Sequence, residues 1–149
     1  MILDERTEIC DAVALNTGGA GSYLLGDVID IGLAGRDLGN SDPLYLVVQV
    51  DTTATSGGSA TGTFSLVTDD NASLSSPAVL VSSKAWAVAD MTAGTTLMVV
   101  QLPMEGTAYE RYLGLQQTTG TAAFTAGKVN AFITHTPARW KAYDAPFQL

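Results

Sequence analysis

The stretch LYLVVQVDTTATSGGSATGTFSLVTD, residues 44–69, decides the fold. In its first part Leu44, Leu46, Val48 and Val50 share one parity, and in its last part Phe64, Leu66 and Thr68 do the same. A period of two places alternate side chains on one face of a strand, so the stretch reads as two strands, each with one face toward a core. The connection between them, residues 52–62, holds only Thr, Ala, Ser and Gly. It has little apolar surface to bury and is expected to form a surface loop tip. The wider segment from Asp27 to Ser82 continues with strands and polar turns and carries almost nothing able to do chemistry.

Outward from this centre, period-two patterning recurs and helical periodicity hardly appears. Candidate strands cover residues 24–31, 44–51, 63–69, 78–82, 85–88, 97–103, 109–117 and 128–136. Eight short strands separated by polar or glycine-bearing turns indicate an all-β antiparallel sandwich or barrel, with the count favouring a jelly-roll sandwich. Asp69, Asp70 and Asn71 read as a turn whose side chains bond their own backbone, and Pro77 withholds a ladder donor where the next strand begins. Residues 35–40 are expected to form one helical turn. The sandwich is assigned to residues 24–136, between two arms. Residues 1–23 form an amino-terminal arm ending in NTGGAGS, a flexible joint by composition. Residues 137–149 form an extended arm, because Pro137 and Pro146 oppose one continuous helix through Trp140, Tyr143 and Phe147.

Composition narrows the function classes. Of 149 residues 46% are hydrophobic and only 15% are charged, against a usual charged fraction of about 25%, so the surface must be rich in Thr, Ser, Gly and Ala. Seven Lys and Arg stand against fifteen Asp and Glu, a net charge of −8. Affinity for a phosphate backbone comes mainly from cationic side chains that release counterions, so nucleic acid is not an expected partner. Cys10, the single cysteine, excludes an internal disulfide and a cysteine-rich zinc site. The acidic start MILDERTEICD lacks the pattern of a secretory signal, and no apolar run reaches membrane-spanning length. Synthesis and folding in a cytoplasm are expected, without a membrane partner.

Each candidate for chemistry meets a simpler reading. His135 is the lone histidine, no GxSxG elbow accompanies it, and a lone histidine at a strand end is more often structural. Asp69, Asp70 and Asn71 offer oxygen ligands for calcium but lack the loop pattern and distal glutamate, so a turn is favoured. Asp27, Asp30, Asp37, Asp42 and Asp51 are dispersed, and nothing selects two of them as a hydrolytic pair. The glycines of TGGAGSYLLG, residues 17–26, match a phosphate loop only at GAG and precede a strand rather than a helix. Trp86 points to one face of its strand, where core and interface fit equally well. No enzyme activity, metal or cofactor is expected.

The run IDIGLAGRDLG (29–39), followed after four residues by LYLVVQVDTT (44–53) and then by LVTDDNASLSSP (66–77), resembles the small capsid cement, or decoration, proteins of tailed bacteriophages. The similarity extends to MILDERT (1–7), RYLGL (111–115) and TAAFTAGKVNAFIT (121–134). The resemblance implies a jelly roll, a place on the outer surface of an icosahedral capsid, homo-oligomers near symmetry axes and no enzymatic activity. It implies contact roles for Ile2, Leu3 and Asp4 and for Arg36 and Asp37. Arg36 and Asp37 are equally accounted for by a surface ion pair within a turn. The chain runs thirteen residues past the strand end expected at Thr136, so Trp140, Tyr143 and Phe147 become candidate anchors on a neighbouring copy or on the shell. The expected partners are the major capsid protein and a second copy, a homodimer before a homotrimer. A carbohydrate- or receptor-binding jelly roll of a tail fibre or spike is the alternative, using Tyr45, Trp86, Tyr109 and Tyr112 if they converge.

Overall fold

The computed structural model describes residues 5–32, 38 and 42–137. Its strands are β1 (Glu8–Ala14), β2 (Gly21–Asp30), β3 (Tyr45–Ser56), β4 (Thr61–Asp69), β5 (Ala78–Ser82), β6 (Trp86–Ala87), β7 (Thr96–Gln101), β8 (Tyr112–Gly120) and β9 (Phe124–Thr134). Short 3-10 turns at Glu5–Thr7 and Val88–Asp90 are the helical elements among the described residues.

The pairing follows one rule. β1 pairs with β9, β2 with β8, β3 with β7, and β4 with β5 and β6, all antiparallel, so the two halves of the chain run together as one long hairpin. Rolling that hairpin brings β9 against β3 and β8 against β4. The result is one sheet in the order β1-β9-β3-β7 and a second in the order β2-β8-β4-β5, with β6 beside β5 on β4. This is a jelly roll, as the strand count led us to expect.

Alternation then sets the core. Leu46, Val48 and Val50 of β3 and Ala131, Val129 and Ile133 of β9 meet Phe64 and Leu66 of β4 and Leu115 of β8 across the interior. Phe64, Phe124, Leu46, Leu66 and Leu115 are fully buried. Burying each such side chain contributes about 1.5–3 kcal/mol relative to leaving it exposed. Thr68, on the same face as Phe64 and Leu66, is also buried, because its hydroxyl donates to the Tyr112 carbonyl (2.9 Å) and accepts from the Glu110 amide (2.9 Å).

Two expectations are corrected. The connection over 52–62 is mostly strand: β3 continues to Ser56, β4 begins at Thr61, and Ala54 and Ala60 are buried. Small side chains serve there because the backbone of β9 comes close. A Cβ on Gly127 would lie 2.8 Å from the Ala54 Cα. The segment assigned to an amino-terminal arm contributes β1, so the sandwich begins at Glu8 rather than at residue 24. Two register shifts interrupt β1, and Ala12 adopts φ 47°, so neighbouring Ile9 and Cys10 are both buried and the period-two signature is lost. Gly26, at φ 65° beside the register shift in β2, admits this packing. A Cβ there would run into the Ile9 carbonyl and stand 2.7 Å from the Cys10 sulfur.

The NTGGAGS joint is fastened as well. Leu15 is buried and donates its amide to the Gly127 carbonyl (2.9 Å), while Gln117 grips Asn16 by both backbone groups. The turn read at Asp69–Asn71 is present. Leu38 is described within the 35–40 segment, and the rest of that expected helical turn lies outside the described residues, as does the arm from residue 138 onward.

Candidate interaction surfaces

The outer face of the second sheet presents a patch of uniform chemistry. Strand parity places Thr63, Ser65 and Val67 of β4, Gly114, Gln116 and Thr118 of β8, Ser22 and Leu24 of β2, and Val79 and Ser82 of β5 on it, with Ser65, Val67 and Gly114 buried beneath their neighbours. None of these ten residues is charged. Hydroxyls pair across the strands, Ser22 with Thr118 (2.9 Å) and Ser65 with Ser82 (2.7 Å). Leu24 is 40% exposed and Val79 48%. Leu74, from the turn after β4, lies over Gly114, where any Cβ would collide with its Cδ1. The Leu74 side chain therefore covers the sheet at Gly114.

Charge is placed at the rim. Arg111, just before β8, donates twice to the Asp30 carboxylate at the end of β2, Nε at 3.0 Å and Nη2 at 2.8 Å, and its guanidinium stands 5.1 Å from the Tyr112 ring centre. The Arg111 hydrogen bond, with a second from the Gly32 amide, holds Asp30 below the usual carboxylate range. At the same end Asp69, Asp70 and Glu110 bring carboxylate oxygens within 4.8 Å of one another. Asp69 is buried and already accepts the Ser76 amide (2.9 Å) and the Asn71 amide (3.2 Å), the turn expected from the sequence. These amides, that of Ser76 foremost, lower its pKa.

Trp86 closes one flank. It sits on β6 opposite Gly62, half-buried against the core, and its indole N–H donates to the Leu97 carbonyl at 3.0 Å. It thus ties the second sheet to β7 of the first. The Lys84 ammonium lies 4.0 Å above its ring. Of the other contact candidates, Ile2, Leu3, Asp4, Arg36, Asp37, Trp140, Tyr143 and Phe147 lie outside the described residues. The uncharged face and its residues Ser22, Leu24, Gln116 and Thr118 escaped sequence reasoning. Alternation gives two faces to each strand but does not say which outward faces join into one surface.

The groups with reactive side chains are placed as follows. Cys10 is buried, and burial first, then the charges of Asp27 and Glu8, push its thiol up to about 12. It is held as a neutral core residue. Tyr109 is pushed up to about 12 by burial and donates its hydroxyl to the Pro103 carbonyl (2.7 Å). His135 stands exposed just beyond β9.

The fold and these surfaces define a jelly-roll protein that presents an uncharged patch on one sheet face. A match to the Bbp16 family spans residues 13–133, and the chain belongs to that family, one of phage type. No match is found among curated proteins.

Proposed function

We propose that this protein is a capsid decoration protein that binds the outer surface of an icosahedral phage shell and clamps neighbouring major capsid subunits against the pressure of packed DNA. The observation that carries the reading is the uncharged outer face of the second sheet, in a phage-type jelly roll. Such a face loses little on dehydration, because the hydroxyls of Ser22, Thr118, Ser65 and Ser82 already pair among themselves, and Leu24 and Val79 offer apolar contact. The net charge of −8 opposes attachment to DNA during assembly. The mechanism is avidity rather than catalysis: many copies on a closed shell, each bridging subunits as a homo-oligomer, turn modest single contacts into a large barrier to opening. The protein is made in the host cytoplasm and resides on the virion exterior.

The aromatic residues that a glycan-binding site requires are dispersed, which favours the shell reading over the carbohydrate one. Tyr45 belongs to the first sheet and Tyr112 to the second, Tyr109 is buried, and Trp86 is half-buried at the flank. The test is to mix purified protein with shells that lack it, then measure copies bound and heat resistance, using the full chain and a version ending at residue 137. Saturable binding that raises heat resistance is expected, with weaker binding when Trp140, Tyr143 and Phe147 are deleted. Absence of binding by the full chain overturns the proposal, and unchanged binding by the shortened chain removes the arm from it.

A further inference from the structure

The four sheet edges differ in how they are protected. β1 carries two register shifts together with Glu8 and Asp11, and β2 carries a shift at Gly26 together with Asp27 and Asp30. Bulges and charges of this kind keep an edge from pairing with another chain. β5 is five residues long, follows Pro77, and is broken by a register shift opposite Leu66 and Val67. β7, with the sequence TLMVVQ, has no charged residue and no proline, and among the described residues it pairs only with β3.

The direction of its backbone groups follows from the ladder. Leu102 donates its amide to the Leu44 carbonyl (2.8 Å), and the register continues as Gln101 opposite Tyr45, Val100 opposite Leu46 and Val99 opposite Val47. Hydrogen-bonded and non-hydrogen-bonded pairs alternate in an antiparallel ladder. The N–H and C=O of Val100 and Leu102 therefore face β3, and those of Val99 and Gln101 face away from it. Further along, the Trp86 indole occupies the Leu97 carbonyl. The open part of the edge is thus Val99 to Gln101, and the Val99 side chain is 46% exposed.

We propose that this edge pairs antiparallel with the same edge of a second copy about a twofold axis, joining two four-stranded sheets into one of eight. The pattern is self-complementary. With Val99 opposite Gln101 of the second copy, each of those residues exchanges both backbone bonds with its counterpart, which uses every outward group of the Val99–Gln101 stretch on both strands. The axis then passes beside Val100, whose side chain lies on the core side and meets its own copy in a non-hydrogen-bonded pair. Two chains of net charge −8 repel, yet the edge itself is uncharged, so close approach is least opposed there. An isologous contact closes on itself and leaves no open strand for fibre growth. The inference rests on the homo-oligomer in the reading above and names its contact.

Sedimentation equilibrium of the full chain tests it, beside Val99→Lys, which puts like charges on facing strands, and Gln101→Pro, which removes an outward donor without touching the β3 ladder. The wild type is expected at twice the 15.5 kDa chain mass and both variants at the single mass, with far-UV circular dichroism unchanged. Register is read by Val100→Cys in a Cys10→Ala background. A non-hydrogen-bonded pair has Cα atoms about 4.5 Å apart, within the roughly 4.4–6.8 Å that a disulfide spans, so mild oxidation should give a linked dimer. A wild type that stays monomeric into the millimolar range overturns the proposal, as does a dimer that survives in both variants or fails to cross-link through position 100. Shell binding is scored separately on the same samples. A dimer that ignores shells refutes the decoration reading alone, and a shell-binding monomer refutes the edge pairing alone.

Discussion

Replacing Gln117 with leucine should loosen the connection between β1 and β2 and lower the stability of the whole sandwich. Gln117 is 0% exposed and points inward from β8, where an apolar residue would continue the pattern of Leu113 and Leu115. Its Oε1 accepts the Asn16 amide at 2.9 Å, and its Nε2 donates to the Asn16 carbonyl at 3.1 Å and to the Thr119 hydroxyl at 2.7 Å. A typical intramolecular hydrogen bond contributes about 0.5–1.5 kcal/mol net, so three together amount to about 1.5–4.5 kcal/mol. Part of that loss is offset as the half-buried Asn16 groups regain water and leucine adds apolar burial, which leaves about 2–3 kcal/mol. For a domain of this size that corresponds to a fall in melting temperature of roughly 4–12 °C. Urea titration gives the free energy, and amide exchange at residues 16–18 locates it. Gln117→Glu keeps the shape but sets a carboxylate oxygen against the Asn16 carbonyl, so its destabilisation should deepen as pH rises above the carboxylate range. A Gln117→Leu loss below about 0.5 kcal/mol, with unchanged exchange at residues 16–18, would refute the argument that this side chain fastens the joint.

Two further outcomes follow from the buried titratable groups. Cys10, with its thiol pushed up to about 12 from an ordinary 9.0, should resist a thiol reagent at pH 8 in the native protein and react fully in denaturant. The associated stability is fully present below the ordinary value and is lost as pH rises toward the folded one, so a melting curve taken between those limits should fall with pH and flatten in Cys10→Ala. Asp69, whose pKa is lowered by the Ser76 and Asn71 amides, stabilises the fold above the ordinary carboxylate value and ceases to do so as pH falls through its lowered one. Asp69→Asn should therefore melt lower than wild type at pH 7, with the gap closing near pH 2; an equal gap at both values would refute the role of the charge.

The decisive alternation around Leu44–Val50 and Phe64–Thr68 was legible because burying one face of a strand requires apolar residues at every second position. That requirement marks the strands through their cores, whereas β5 at residues 78–82 is legible as a short apolar run between Pro77 and the serines that follow it. It fails where the ladder is irregular. β1 was invisible because its register shifts put Ile9 and Cys10 on the inside in succession, and the far end of β3 was invisible because Ala54 stands where bulk has no room. Glycines 18, 19 and 21 give the joint before β2 a flexible composition, yet Gln117, 101 residues away from Asn16, holds it. No local pattern carries such a contact.

The same division runs through the candidate surfaces. The chain alone specified an all-β antiparallel sandwich of jelly-roll type, a scarcity of charge and an acidic balance, since composition and period are properties that each segment carries by itself. Only the tertiary structure decided which strands stand at the edges, which outward faces merge into one uncharged surface, and that Val99 and Gln101 turn their backbone groups away from every described strand. Those outcomes depend on pairings between residues far apart in the chain. A strand's sequence records which of its faces is apolar, but its hydrogen-bonding partners are set by the rolling of the whole hairpin.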